Sequence, residues 1–252
     1  LIPYIYRRKS AKIPYMSDKT VVLLSGGIDS TTTLYYAKNK GYKCHALIFD
    51  YGQRHRREVS AAVAVSVRAK VPYQIIKIPL PWKGSSLLDK KIKVPVRKSL
   101  KGIPSTYVPA RNTIFLSFAL SYAEAIGAKA IFIGANAIDF SGYPDCRPSF
   151  YEAFRRVVKT GTRKSLDGTR DKQEIEIKTP LINMTKARII ALGLKLKAPL
   201  KLTWSCYMGG RKPCGVCDSC RIRERGFKVL GLQSSDLSLP PHLRLNRFPK
   251  HG

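Results

Sequence analysis

The stretch TVVLLSGGIDSTT, Thr20–Thr32, decides the fold. Thr20–Leu24 is a short apolar run rich in β-branched residues, which reads as a buried strand. Ser25-Gly26-Gly27 breaks it, and Ser30–Asn39 reads as a helix that ends near Gly41. A strand that hands over to a helix through two glycines lets the backbone approach a ligand closely. The helix start then offers free N–H groups and the positive end of its dipole. Ser25, Ser30 and Thr31 add hydroxyls, so the turn is an anion site of phosphate size. No Lys-Ser/Thr follows at P-loop spacing, and the three-glycine dinucleotide pattern is absent as well.

Outward from this turn, Lys43–Phe49 reads as a second strand, Glu58–Lys70 as a helix and Gln74–Ile78 as a third strand. The β-α-β-α-β order predicts a Rossmann-like α/β fold, a parallel sheet with helices on both faces. Pro79–Pro109, rich in proline and lysine, predicts a long loop or lid. Asn112–Ile126 resumes as a helix stopped by Gly127, Ala130–Gly134 as a buried strand, and Ile138–Ser149 as a polar loop at its end. Tyr151–Lys159 reads as a helix and Ile175–Lys178 as a strand. Thr185–Leu192 reads as a helix stopped by Gly193. The expected division is a basic extension over 1–18, the α/β domain over 19–200, a cysteine region over 201–231 and a tail over 232–252.

The chain has 252 residues, 44% of them hydrophobic, enough to bury a sizeable core. No apolar run approaches the ~18 residues of a membrane helix. Leu1–Lys19 is basic and interrupted by Pro3 and Pro14, unlike a secretory signal. A cytoplasmic protein without a membrane partner is expected. The net charge of +30 reads either as a well-solvated basic surface or as a mark of a polyanionic partner, and it predicts nonspecific nucleic-acid binding at low salt. Basic residues are spread over Arg7–Lys9, Lys90–Lys101, Lys195–Lys201 and Arg244–Lys250, whereas a dedicated RNA face would gather them on fewer elements.

Four of the six cysteines lie in C-x7-C-x2-C-x2-C: Cys206, Cys214, Cys217 and Cys220. Cysteines three apart point their sulfurs at one centre when the backbone makes a tight knuckle, and Gly215 supplies that freedom. Four thiolates suit a closed tetrahedral zinc of structural role, one per chain. An iron–sulfur cluster takes the same ligands.

Leu24–Thr32 (LSGGIDSTT) resembles the pyrophosphate loop of the N-type ATP pyrophosphatases. From Lys19 to Phe227 the chain resembles the QueC family, the 7-cyano-7-deazaguanine synthases of that superfamily. The motifs are Asp50–Arg54 (DYGQR), Val108–Asn112 (VPARN), Ser141–Arg147 (SGYPDCR), Thr179–Ile182 (TPLI), Ser205–Tyr207 (SCY) and Pro213–Cys220 (PCGVCDSC). Three positions depart from the expected pattern. Ala110 stands where glycine is expected, Ala135-Asn136-Ala137-Ile138 replaces a stretch expected to carry an acidic residue, and Arg188 replaces a commonly acidic residue.

The resemblance implies an ATP-dependent ligase that converts 7-carboxy-7-deazaguanine and ammonia to the 7-cyano compound by carboxylate adenylation, in queuosine or archaeosine biosynthesis. It assigns Leu24, Ser25, Gly26, Gly27, Ile28, Asp29, Ser30, Thr31, Thr32, Thr33 and Leu34 to ATP, with Asp29 helping to hold Mg²⁺. Asp29, Ser30 and Arg111 are the expected catalytic residues. Gln53, Arg54, Arg111, Asn112, Tyr143, Asp145 and Arg147 are the expected substrate contacts. Within that set, Asp145 would accept from a ring N–H, Tyr143 would stack, and either Arg111 or Arg147 would grip phosphate or carboxylate. A homodimer is the expected assembly, and His55 reads as a loop residue rather than a base. Two rivals remain at this level. One is a tRNA-modifying enzyme of the same superfamily that adenylates or thiolates a base in place, with Cys146 as the thiol to follow. The other is a non-catalytic zinc-ribbon nucleic-acid binder, which leaves the glycine turn unexplained.

Overall fold

Five parallel strands stand in the order β3-β2-β1-β4-β5 in the computed structural model, which describes residues 18–96, 102–138, 142–163 and 174–234. The strands are β1 (Lys19–Leu23), β2 (Lys43–Asp50), β3 (Tyr73–Lys77), β4 (Ala130–Ile133) and β5 (Glu176–Lys178). The helices are α1 (Ile28–Asn39), α2 (Arg57–Ala69), α3 (Arg111–Ile126), α4 (Pro148–Gly161), α5 (Lys186–Lys195) and α6 (Asp218–Lys228). Most of the basic extension, all but the first three residues of the tail, Arg97–Lys101 and Ser141 lie outside the described residues.

The period-2 alternation of strand side chains sorts the core into two layers. Val21, Leu23, Leu47, Phe49, Ile131 and Ile133 face one layer, where Leu116, Ala119 and Ala123 of α3 and Tyr151, Phe154 and Val158 of α4 cover them. Val22, Leu24, Ala46, Ile48, Ala130 and Phe132 face the other, under Leu34 and Ala37 of α1 and Val59, Ala62 and Val65 of α2. β1 pairs with β2 on one side and with β4 on the other. The chain therefore reverses direction across the sheet at β1, and the crevice at the carboxyl ends of β1 and β4 is the place where such sheets bind ligands.

One expectation is corrected. Gly193 does not stop α5, which runs through it to Lys195. A Cβ at Gly193 would lie 2.7 Å from Thr32 Oγ1, so this glycine serves the close crossing of α5 on α1. Beyond the knuckle, Cys220 sits in the first turn of α6. The expected loop over 79–109 is a loop, but its described part is pinned. The Arg54 guanidinium donates to the carbonyls of Ser86 (2.8 Å), Ile92 (3.1 Å) and Lys90 (3.2 Å), and Val94 packs against the cysteines. Among the described residues, no helix is long and apolar enough to cross a membrane.

Candidate functional site: an anion loop, a half-buried arginine and a sulfur cluster

The turn between β1 and α1 is built from its own hydroxyls. Ser30 Oγ accepts from the Ser25 N–H at 3.2 Å, lies 3.0 Å from Ser25 Oγ, and donates to the Gly27 carbonyl at 3.2 Å. No side chain caps α1, so its first N–H groups are left for a ligand. Gly26 has φ +81°, and a Cβ there would meet the Glu58 carbonyl at 2.4 Å and the Ala62 nitrogen at 2.6 Å. The second helix thus abuts the loop from behind, and only glycine fits. Gly134, at the end of β4, also approaches the Asp29 backbone closely, its would-be Cβ lying 2.8 Å from Asp29 C.

A cavity of about 230 Å³ opens here. Leu24, Ser25, Gly27, Ile28, Asp29 and Ser30 line it. Thr31, Thr32, Thr33 and Leu34 do not reach it. The three threonines are fully buried in the body of α1, and Leu34 belongs to the core. Asp29 is engaged by Lys186, whose ammonium donates to both carboxylate oxygens at 2.7 and 2.8 Å. Lys186 also lines the cavity, and no sequence motif had singled it out.

Arg111, at the start of α3, also lines the cavity. Its guanidinium donates to Tyr51 Oη at 3.0 Å and lies 5.9 Å from the Phe115 ring centroid. Burial lowers its pKa, but Tyr51, Glu58 and Asp145 outweigh that, so the cation is held firmly. Asn112, Gln53 and Tyr143 join it. Gln53 closes the turn after β2, accepting from the Tyr51 N–H at 2.8 Å. Tyr143 Oη lies 2.6 Å from Thr106 Oγ1.

Three expected contacts are not in the cavity wall. Asp145 is buried and spent on structure: Oδ2 accepts from the Asn112 N–H at 3.0 Å, and its carbonyl accepts from Asn112 Nδ2 at 2.9 Å and from Tyr151 Oη at 3.0 Å. It fixes the start of α3 and thereby Arg111. Arg147 precedes α4 and is exposed. Arg54 is the clamp on the 79–109 loop. Ala110 takes a left-handed conformation, φ +49°, which explains why glycine is expected at that position.

Glu58 and Arg223 are the other charged wall residues that were not foreseen. Burial pushes the Glu58 carboxyl up to about 7; Arg111 opposes this and Cys206 adds to it. Arg223, on α6, donates to Thr203 Oγ1 at 2.8 Å, and burial pulls its pKa down to about 10. The signal for Glu58 was an acid in the first turn of the helix after β2, which is where α/β sites recruit residues. Arg223 had no local signal.

The four sulfurs of Cys206, Cys214, Cys217 and Cys220 lie within 4.8 Å of one another, and those of Cys214 and Cys220 are 4.0 Å apart. A tetrahedral ion with sulfur at ~2.3 Å needs sulfurs ~3.8 Å apart, so the donor set fits a metal. Backbone N–H groups of Cys214 and Met208 point at Cys206 Sγ (3.3 and 3.4 Å), and that of Cys217 at Cys214 Sγ (3.3 Å). Such bonds favour thiolates. His55 is a strut: Nε2 lies 2.9 Å from the Cys206 carbonyl, which also accepts from Trp204 Nε1 at 2.8 Å. The Trp204 N–H donates to the Gly26 carbonyl at 2.9 Å and so ties the sulfur loop to the anion loop.

The family model described as "Queuosine biosynthesis protein QueC" matches residues 19–231. A 7-cyano-7-deazaguanine synthase of Nostoc punctiforme is 53% identical over 220 residues, covering 85% of this chain and 96% of the relative. The enzyme of that name from Thermoplasma volcanium is 49% identical over 219 residues, covering 86% and 89%. Among solved structures, the NMN synthetase of Francisella tularensis is similar at 18% identity and a TM-score of 0.45, covering 94% of this chain and 91% of that one. On the profile match over most of its length and on these relatives, the chain belongs to the QueC family.

Proposed function

We propose that the protein is an ATP-dependent ligase that converts 7-carboxy-7-deazaguanine and ammonia to 7-cyano-7-deazaguanine. The observation that carries this reading is one cavity lined both by an uncapped anion loop and by a half-buried arginine beside two tyrosines. A carboxylate is a poor acyl donor because oxide is a poor leaving group. Its oxygen attacks the α-phosphorus of ATP, and pyrophosphate departs into the N–H groups of the α1 start, with the Lys186 ammonium alongside. The nitrogen of ammonia then attacks the acyl carbon, and AMP leaves with the carbon–oxygen electron pair. The resulting amide oxygen attacks a second α-phosphorus, and loss of AMP and the remaining nitrogen protons yields the nitrile.

Arg111 is assigned to the substrate carboxylate or α-phosphate, Tyr143 to the ring face, and Gln53 and Asn112 to ring edges. Mg²⁺, which neutralises the departing pyrophosphate, would be held by Asp29 on release from Lys186. Zinc is the ion assigned to the four thiolates, with no open position and a structural role. The reading includes a homodimer, a cytoplasmic site, and nonspecific nucleic-acid binding from the +30 charge. The unit boundaries at 200 and 231 follow from the assigned zinc region. A thiolating tRNA enzyme is disfavoured: Cys146 is buried beside Asn112 Nδ2 (3.5 Å), and burial, followed by Asp145, pushes its thiol up to about 12. The test is phosphorus NMR of the reaction mixture. AMP and pyrophosphate in a two-to-one ratio to nitrile support the reading, and ADP with phosphate overturns the adenylation step.

A further inference from the structure

The reaction strips every proton from ammonia's nitrogen, so it needs a base at the reacting carbon. The cavity offers few. Asp29 has both oxygens on Lys186, and Asp145 is outside the wall, bonded to Asn112. Tyr51, Tyr143, Tyr207 and Cys146 all hold their protons above their ordinary values, first through burial. Lys186, Arg111 and Arg223 are donors. Glu58 differs from all of these. It lines the same cavity as the anion loop and Arg111, and among the described residues its carboxylate makes no hydrogen bond or ion pair. Its position is fixed, because its own carbonyl is the atom against which Gly26 packs.

Resting on the synthase reading, we propose that Glu58 is the general base of the reaction, taking the nitrogen protons in amide formation and again as the amide becomes the nitrile. In the first step the ammonia lone pair forms the C–N bond, one N–H proton passes to Glu58, and AMP leaves. In the second, the amide oxygen forms the bond to phosphorus while pyrophosphate leaves, and Glu58 accepts one N–H proton to give the O-adenylyl imidate. The C–O bond then breaks toward AMP as the last N–H proton passes to the same carboxylate and the C≡N bond forms. Between steps Glu58 returns its proton to water, and ATP and ammonia are the only co-reactants.

The groups that face this carboxylate are Arg111 on α3, Tyr51 after β2, and Tyr207 and Cys206 in the sulfur loop. Burial costs an ionised acid its hydration, and Arg111 limits that cost so that the carboxylate form remains accessible.

The experiment separates activation from proton transfer in the zinc-loaded full chain. Pyrophosphate exchange into ATP with 7-carboxy-7-deazaguanine, ammonia withheld, reads adenylation alone. Conversion of the 7-carboxamide to the nitrile reads the base. Glu58→Gln is expected to keep exchange within about threefold and to lose about 100- to 10,000-fold in nitrile formation. Formate is expected to restore part of the loss in Glu58→Ala. A Gln variant that makes nitrile at the wild-type rate overturns the proposal, and so does one that loses exchange equally, since Glu58 would then merely hold the loop. If the wild-type chain neither exchanges nor makes nitrile, the synthase reading fails instead.

Discussion

The glycine turn after β1 and the cysteine loop before α6 both aim backbone N–H groups at a charged centre, but they are held in opposite ways. The turn is clamped by distant backbone: α2 presses on Gly26, and Asp29 presses on Gly134. The cysteine loop has no such clamp at its knuckle, where a Cβ on Gly215 (φ +74°) would meet nothing within 4 Å. Its shape is set by four sulfurs that converge. A site formed by packing is ready before its ligand arrives, whereas a site formed by ligands depends on the ion. Here the second kind supports the first through the Trp204–Gly26 hydrogen bond.

The sharpest way to break this comparison is to remove one sulfur. Structural zinc contributes about 10 kcal/mol or more to folding in small zinc modules, comparable to the whole stability of a typical domain, about 5–15 kcal/mol. Cys217→Ser is therefore expected to lose stoichiometric zinc, expose 201–231 to protease and weaken ATP binding, all read on one preparation by metal analysis, limited digestion and calorimetry. Full ATP affinity in a zinc-free, digested protein would show that the two regions are independent.

Asp29→Asn addresses the packed side. Turnover is expected to fall about 100- to 1000-fold with far-UV circular dichroism and zinc content unchanged. Gly193→Ala comes next. Alanine favours helix, yet its methyl would sit 2.7 Å from Thr32 Oγ1. Denaturant melts are expected to show a loss of about 1–3 kcal/mol, and a gain would mean that α1 and α5 do not cross so tightly. The smallest effect is Ala110→Gly, which relieves a left-handed alanine and is expected to stabilise by about 0.5–1 kcal/mol.

Glu58 supplies the pH signature. Its folded pKa of about 7 lies above the ordinary 4.5, so the folded state binds more protons than the unfolded state between those values. Its contribution to stability is complete below about 4.5 and is lost as pH rises through about 7. Glu58→Gln is expected to flatten that fall in thermal melts taken from pH 5 to 8.

The sequence made the turn and the sulfur cluster legible because both are short-range patterns, and the turn with its flanking strand and helix start declares itself within the single stretch Thr20–Thr32. What stayed hidden depends on residues far apart in the chain. Gly193 looks like a helix stop until Thr32 is seen against it. Asp145 and Arg147 share one motif, yet one turns inward to hold α3 while the other faces water, a distinction that spacing does not carry. Lys186 lies 157 residues from the aspartate it grips, and Glu58 belongs to no motif. Arg54 matched a motif but clamps a loop, because its nearest acceptors are carbonyls more than thirty residues away.

The central claim is that this cavity adenylates a free deazapurine carboxylate. Zinc-loaded protein, ATP, an ammonium salt and 7-carboxy-7-deazaguanine at near-physiological ionic strength, with and without tRNA, test it directly by mass spectrometry. The account predicts the 7-cyano product in both mixtures at equal rates. An inert free base, with modification appearing only on tRNA, would contradict it.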